Sequence, residues 1–205
     1  AQTGLIAPDR TTADYIRAAG ADPGDLARWQ GDADAVSAEL HRVDAASLAP
    51  QVAAPHSPAN SAPVGDHGAV PIDRAYIGAC TGAKLVDLHM AASVLKGRRV
   101  ASGVRLLVAP ASTRIAAQAA ADGTLATLTE AGAILLASGC GACAGYGSGL
   151  LSEGEVCIAS TARNFKGRMG ATTAQVYLGS PYTVAASAVA GRIADPRAML
   201  AERVS

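Results

Sequence analysis

Hydrophobic and polar positions follow one rhythm after about residue 72 and a different one before it. Beyond Ile72, short continuous apolar runs alternate with stretches of helical spacing. "RAYIGAC" (74–80) predicts a strand, and Leu85, Leu88, Ala91, Ala92 and Leu95 then recur on one helical face until Gly97 stops the element. "VRLLVAP" (104–110) is apolar throughout, as a strand covered on both faces requires. Helical spacing over 112–122 and 124–131 leads through Gly132 into a strand at "AILLAS", and "EVCIAS" (155–160) predicts a fourth strand. "SPYTVAASAVAGRI" predicts a last helix, with Ser180 as N-cap and Pro181 at the first helical position. Strand–helix alternation of this kind predicts a three-layer α/β fold with a mostly parallel sheet and right-handed crossovers.

Before residue 72 the pattern is weaker. Thr3 to Ala7 is strand-like, and "PDRTTADYIRAAG" predicts a helix with Thr11 or Thr12 as N-cap and Gly20 as stop. A second helix is predicted over Asp34 to His41. Residues 49–71 are rich in proline and carry little period, which predicts a linker or an extended surface loop. The expected organisation is therefore a partial segment over 1–48, a Pro-rich linker over 49–71 and an α/β domain over 72–205.

Composition narrows the function. The chain has 205 residues, half of them hydrophobic, enough for a buried core. With 17 basic and 17 acidic residues the net charge is +0, so there is no broad basic surface for nucleic acid or an anionic membrane. Aromatic residues make up 3%, which removes base-stacking platforms and leaves an aliphatic core. No apolar run approaches the ~18 residues of a membrane span. Four cysteines are too few for a disulfide scaffold in a chain of this length, and no signal sequence opens it. The expected setting is a soluble, reducing, cytoplasmic one, where cysteine spacing reads as metal binding or catalysis.

In open parallel sheets, ligands bind beyond the carboxyl ends of the strands. Those ends carry Cys80 after "RAYIGA", Cys140 and Cys143 in "GCGACAGYG", and "TARNFKGR" after "EVCIAS". A lone C-x-x-C is shared by redox dithiols, zinc sites and iron–sulfur clusters. A redox dithiol ordinarily has cationic or aromatic neighbours, which this glycine-lined pair lacks, and structural zinc ordinarily takes two such pairs. Iron–sulfur clusters usually take four thiolates, so three would leave one iron open to substrate. Cys157 faces away from Val156 and Ile158 within its strand and reads first as a small buried hydrophobe. As a fourth ligand it would instead make a four-cysteine iron–sulfur or zinc module for electron transfer or sensing.

Arg163 and Arg168 lie five apart in a loop with Asn164, Phe165 and Gly167, a spacing that predicts two guanidiniums in one crevice and a carboxylate clamp. Lys166 is expected to be solvated. The four histidines offer no catalytic constellation: His41 lies on a polar stretch, His56 and His67 in the predicted linker, and His89 on the helix after Cys80. No Ser-His-Asp or Walker pattern is present.

"YIGACTGAKLVDL", "GCGACAGYG" and "STARNFKGR", with "APHSPAN" and "LIAPDRTT", resemble the aconitase superfamily, in particular large subunits of isopropylmalate dehydratase and homoaconitase type. The resemblance covers essentially the whole chain. It implies an aconitase-type domain in which Cys80, Cys140 and Cys143 hold a [4Fe–4S] cluster, and Arg163 and Arg168 hold substrate carboxylates. It implies a hydro-lyase acting on a hydroxy di- or tricarboxylic acid, with an open iron as Lewis acid. The family's acid and base residues are expected in the remainder of the large subunit and in a small swivelling-domain subunit, so no catalytic acid or base is assigned to this chain. The chain, which opens without Met, is expected to be the C-terminal part of a longer polypeptide that alone turns over nothing. Two positions depart from the family pattern: Gly82 and Ala162 stand where asparagines are usual. Those departures leave the particular substrate open.

Overall fold

The computed structural model describes residues 4–201, which divide between Ala45 and Ala46 into two compact units. In the first, helix α1 spans Arg10–Ala18. Its N-cap is Asp9, not Thr11 or Thr12: the Asp9 carboxylate accepts the Thr12 N–H at 2.9 Å, and the Asp9 N–H donates to Thr12 Oγ1. A carboxylate two residues before Thr11 satisfies an orphan donor and, unlike a threonine hydroxyl, brings a negative charge that complements the helix dipole. A 3-10 turn follows at Leu26–Trp29.

Asp34 to His41 is not helical. Val36 and Leu40 are exposed, and a stretch this short without a packed face lacks the tertiary support that stabilises helices below about 12 residues. Thr3 lies outside the described residues, and 4–7 form no strand.

The second unit holds a seven-stranded sheet. Its strands are β1 (Gln51–Ala53), β2 (Ser61–Pro63), β3 (Arg74–Gly78), β4 (Arg105–Ala109), β5 (Ile134–Leu135), β6 (Val156–Ala159) and β7 (Gln175–Leu178). Their order is β2-β1-β7-β6-β3-β4-β5, with β7 to β5 parallel and β1 antiparallel to both β2 and β7. Three features correct the sequence reading. The expected linker supplies β1 and β2, because Val52 and Val64 are buried in the core and their short apolar runs find an open sheet edge. The strand at "AILLAS" shrinks to two exposed residues, since β5 is itself an edge. Strand β7 went unpredicted because "QVYL" is only four residues long and follows a loop without helical spacing.

Helices α2 (Ala79–Gly82), α3 (Leu85–Leu95), α4 (Thr113–Ala121), α5 (Thr124–Glu130), α6 (Pro181–Ala190) and α7 (Pro196–Ala201) complete the α/β fold. Leu88, Leu95, Leu128 and Val184 pack on the face of the sheet that presents Ala75, Ile77, Leu106 and Ile158. The other face presents Tyr76, Leu107, Cys157 and Val176, and is covered by the loops that lead into β6 and β7. Handedness explains the division. The path β3 to β4 to β5 steps one way across the sheet, through helices. The path β5 to β6 to β7 steps back, so right-handed crossovers must lie on the opposite face. Neighbouring strands β3 and β6 therefore send their chains to opposite faces, and the crevice between their carboxyl ends is the topological switch point.

Ser180 caps α6 as predicted, its Oγ accepting the Thr183 N–H, with Pro181 in the first turn. His89 lies on α3 within 2.7 Å of Asp122 Oδ2, which joins α3 to the turn before α5. The Thr124 hydroxyl and His89 hold the Asp122 carboxyl down at about 2. At the amino end of the sheet, the Arg74 guanidinium donates to Glu155 Oε1 through Nε and Nη2, with both side chains largely buried. No helix among the described residues is long and apolar enough to cross a membrane.

Candidate functional site

Three turns meet the carboxyl ends of β3, β5 and β6. The first carries Cys80. Strand β3 ends at Gly78, the chain passes through Ala79 at φ 67°, and Cys80 sits exposed on the single turn of α2. Ser160, just past β6, fastens this turn: its Oγ accepts the Gly78 N–H at 3.3 Å and donates to the Gly82 carbonyl at 2.8 Å. A Cβ at Gly82 would lie 2.0 Å from the Ser160 carbonyl oxygen, so only glycine lets the two backbones approach. Glycine at position 82 is thereby tied to the packing of the residue that follows β6. Sequence reasoning gave Ser160 no role, although it ends an apolar run and opens "STARNFKGR".

The second turn carries the cysteine pair. Gly141–Ala144 is a 3-10 turn in which the Cys143 N–H donates to the Cys140 carbonyl. Cys140 is exposed, whereas Cys143 is buried against Tyr76, Leu107 and Ala142. A pocket of about 190 Å³ opens here, lined by Tyr76, Ala109, Ser138, Cys140, Gly141 and Tyr146. Tyr76 was missed in the sequence because a tyrosine inside a buried strand reads as core. Its hydroxyl is buried without a hydrogen-bond partner. Burial, and then the neighbouring Cys143, push its pKa up to about 12 against a smaller opposing pull from the Cys143 backbone amide.

The third turn carries the arginines. Asn164 is fully buried, and its Nδ2 donates to the carbonyls of Ala54 at 2.8 Å and Val176 at 3.0 Å, fastening the loop across β1 and β7. Arg163 is exposed, as is Lys166, while Arg168 is half-buried with its Nε enclosed and unpartnered. The two guanidiniums thus differ in exposure. A Cβ at Gly145 would stand 3.0 Å from the Arg168 carbonyl oxygen, so the turn that follows Cys143 lies directly against the arginine loop. The Leu151 N–H donates to the Met169 carbonyl and joins the same two segments.

All four cysteines are free thiols. Among the described residues, no three His, Cys, Asp or Glu side chains close on a single ion. Cys157 is fully buried in the same apolar cluster as Cys143 and Tyr76, and burial raises its thiol to about 12.

Residues 65–191, which include all three turns, match the model of the aconitase family (aconitate hydratase). The chain belongs to the aconitase family. Over 98% of its length it is 44% identical to 3-isopropylmalate dehydratase large subunit 2 of Archaeoglobus fulgidus. Over 83% it is 48% identical to the 3-isopropylmalate dehydratase large subunit of Mycolicibacterium smegmatis. Over 96% it is 43% identical to the probable methanogen homoaconitase large subunit of Methanosarcina mazei. It covers 48%, 41% and 49% of these proteins, so this aconitase-family chain spans about half the length of the curated relatives it matches.

Proposed function

We propose that this chain is the cluster-bearing part of a hydro-lyase large subunit. It would act on a hydroxy di- or tricarboxylic acid such as 3-isopropylmalate. Its partners would be the remainder of that large subunit and a small swivelling-domain subunit. The observation that carries the reading is the meeting of the three turns at the switch point, where Ser160 fastens the Cys80 turn and Gly145 sets the Cys143 turn against Arg168.

The donor set suits a [4Fe–4S] cluster held by Cys80, Cys140 and Cys143. Its thiols are soft ligands on two turns, Cys80 on one and the Cys140–Cys143 pair on the other, and they do not converge on one ion, as a mononuclear site would need. When bound, such a group supplies Lewis acidity at an iron without a protein ligand. The chain's own residues do the rest of the holding. Arg168, its Nε already withdrawn from solvent, offers a fixed fork to a carboxylate, and exposed Arg163 is free to take a second. The proton alpha to a carboxylate must leave to a base outside this chain, which by itself is expected to turn over nothing.

Anaerobic reconstitution with iron and sulfide, then mild oxidation and electron paramagnetic resonance, tests the proposal. The expected result is a three-iron signal that disappears on adding reductant and Fe²⁺, and the Cys157→Ala protein should give the same. Loss of the metal in Cys157→Ala would instead identify a four-cysteine module, and the hydro-lyase reading would fall.

A further inference from the structure

Tyr76 carries a hydroxyl whose proton no described group accepts; the Cys143 backbone N–H lies near its oxygen, but an N–H takes no proton from it. The residue is 1% exposed, and its ring is enclosed by Leu107, Ala109, Ala142 and Met169. A Cβ at Gly78 would come within 2.2 Å of Tyr76 Cε1, so the ring lies along its own strand over Gly78, toward the carboxyl end. There its hydroxyl reaches the cysteine turn, 3.8 Å from where a Cβ at Gly141 would stand. The polar groups of the cysteine turn and of the turn after β3 keep bonds of their own. The Cys143 N–H donates to the Cys140 carbonyl, and the Ser160 hydroxyl is shared between Gly78 and Gly82. Leaving a buried hydroxyl unpaired costs about 1–3 kcal/mol. A phenyl ring would fill the same apolar shell without that cost.

We propose that the Tyr76 hydroxyl is a hydrogen-bond donor to the sulfurs gathered at the Cys140–Cys143 turn, a positioning residue that sets the redox potential of the cluster. The inference rests on the reading of Cys140 and Cys143 as ligands. Neutral thiols are weak acceptors, whereas cluster sulfurs carry negative charge, so the donor finds its partner only on loading. Hydrogen bonds to cluster sulfurs favour the reduced, more negative state and raise the potential.

Tyr76→Phe separates the possibilities with two readouts that do not depend on turnover. In the metal-free protein, urea unfolding should show Tyr76→Phe at least as stable as the wild type; a clear loss of stability would mean the hydroxyl is already paired, and would overturn the proposal. After anaerobic reconstitution, a redox titration followed by electron paramagnetic resonance should place the midpoint of Tyr76→Phe at more negative potential, at equal iron and sulfide content. Equal midpoints overturn the inference while leaving the ligand assignment in place. Failure of the wild type to take up any cluster removes the ligand assignment, and the inference with it. Should Tyr76→Phe alone fail to load, ultraviolet Raman spectra of Tyr146→Phe protein decide, with the second pocket tyrosine removed. Loading must then convert one tyrosine doublet to the hydrogen-bond-donor form, and an unchanged doublet overturns the proposal.

Discussion

Ser160 and Gly82 form a matched pair at the residue scale: one hydroxyl brackets Cys80, and one missing Cβ allows it to. Ser160→Ala removes both bonds and leaves the Gly82 carbonyl and Gly78 N–H short of partners, a cost of about 1–3 kcal/mol. Gly82→Ala forces backbone against backbone and should cost more than Ser160→Ala. Urea midpoints of the two variants check the order, and an unperturbed Gly82→Ala would contradict the close approach.

Cys157 allows a pH prediction. Its thiol is raised from 9.0 to about 12 in the folded chain, so the folded state keeps a proton that the unfolded state releases. Its stabilising contribution is complete below pH 9 and is lost as pH rises toward 12. The limiting slope is about 1.4 kcal/mol per pH unit. Tyr76, raised to about 12, adds to the same decline. Urea titrations between pH 8 and 11 should show the fall, and Cys157→Ala should flatten it.

At the scale of elements, the arginine loop doubles as a fastener. Strand β1 meets β7 through the Ala53–Leu178 pairing, and Asn164 adds a bond from the loop to the Ala54 carbonyl. Asn164→Ala should therefore loosen β1 and β2 before it unfolds the sheet. Hydrogen exchange over 51–63 should accelerate while β3 and β4, joined along a five-residue register, stay protected. Equal protection of both regions would show that Asn164 is not the fastener. In the sequence the arginines of this loop drew the attention, and the asparagine between them looked like a spacer, because its partners lie 110 and 12 residues away.

At the scale of the whole molecule, the parallel sheet separates a buried ion pair from the candidate site. The Arg74–Glu155 pair sits at the amino ends of the strands, and the cysteines and arginines sit at the carboxyl ends. Glu155→Ala leaves a buried guanidinium without its counter-charge and should cost about 3–5 kcal/mol. Under native conditions it should leave the alkylation of exposed Cys80 and Cys140 unchanged, as mass spectrometry after iodoacetamide treatment can measure. Altered alkylation would mean that the two ends are coupled through the strands.

The sequence by itself determined the elements whose signals are local. Strands β3, β4 and β6 declared themselves by continuous apolar runs, α3 by its spacing, and α6 by Ser180 and Pro181. The three strand-end motifs came from the same reading, because a strand's end is also a local event. Only the tertiary structure decided the rest. An apolar pattern over 34–41 found nothing to pack on, while two three-residue strands in a proline-rich stretch found the open edge beside β7. Whether Gly82 can touch Ser160, or Tyr76 can reach the cysteine turn, depends on which strands become neighbours. Strand order is set by crossover handedness and the closing of the core, and no window of the sequence contains both sides of those contacts.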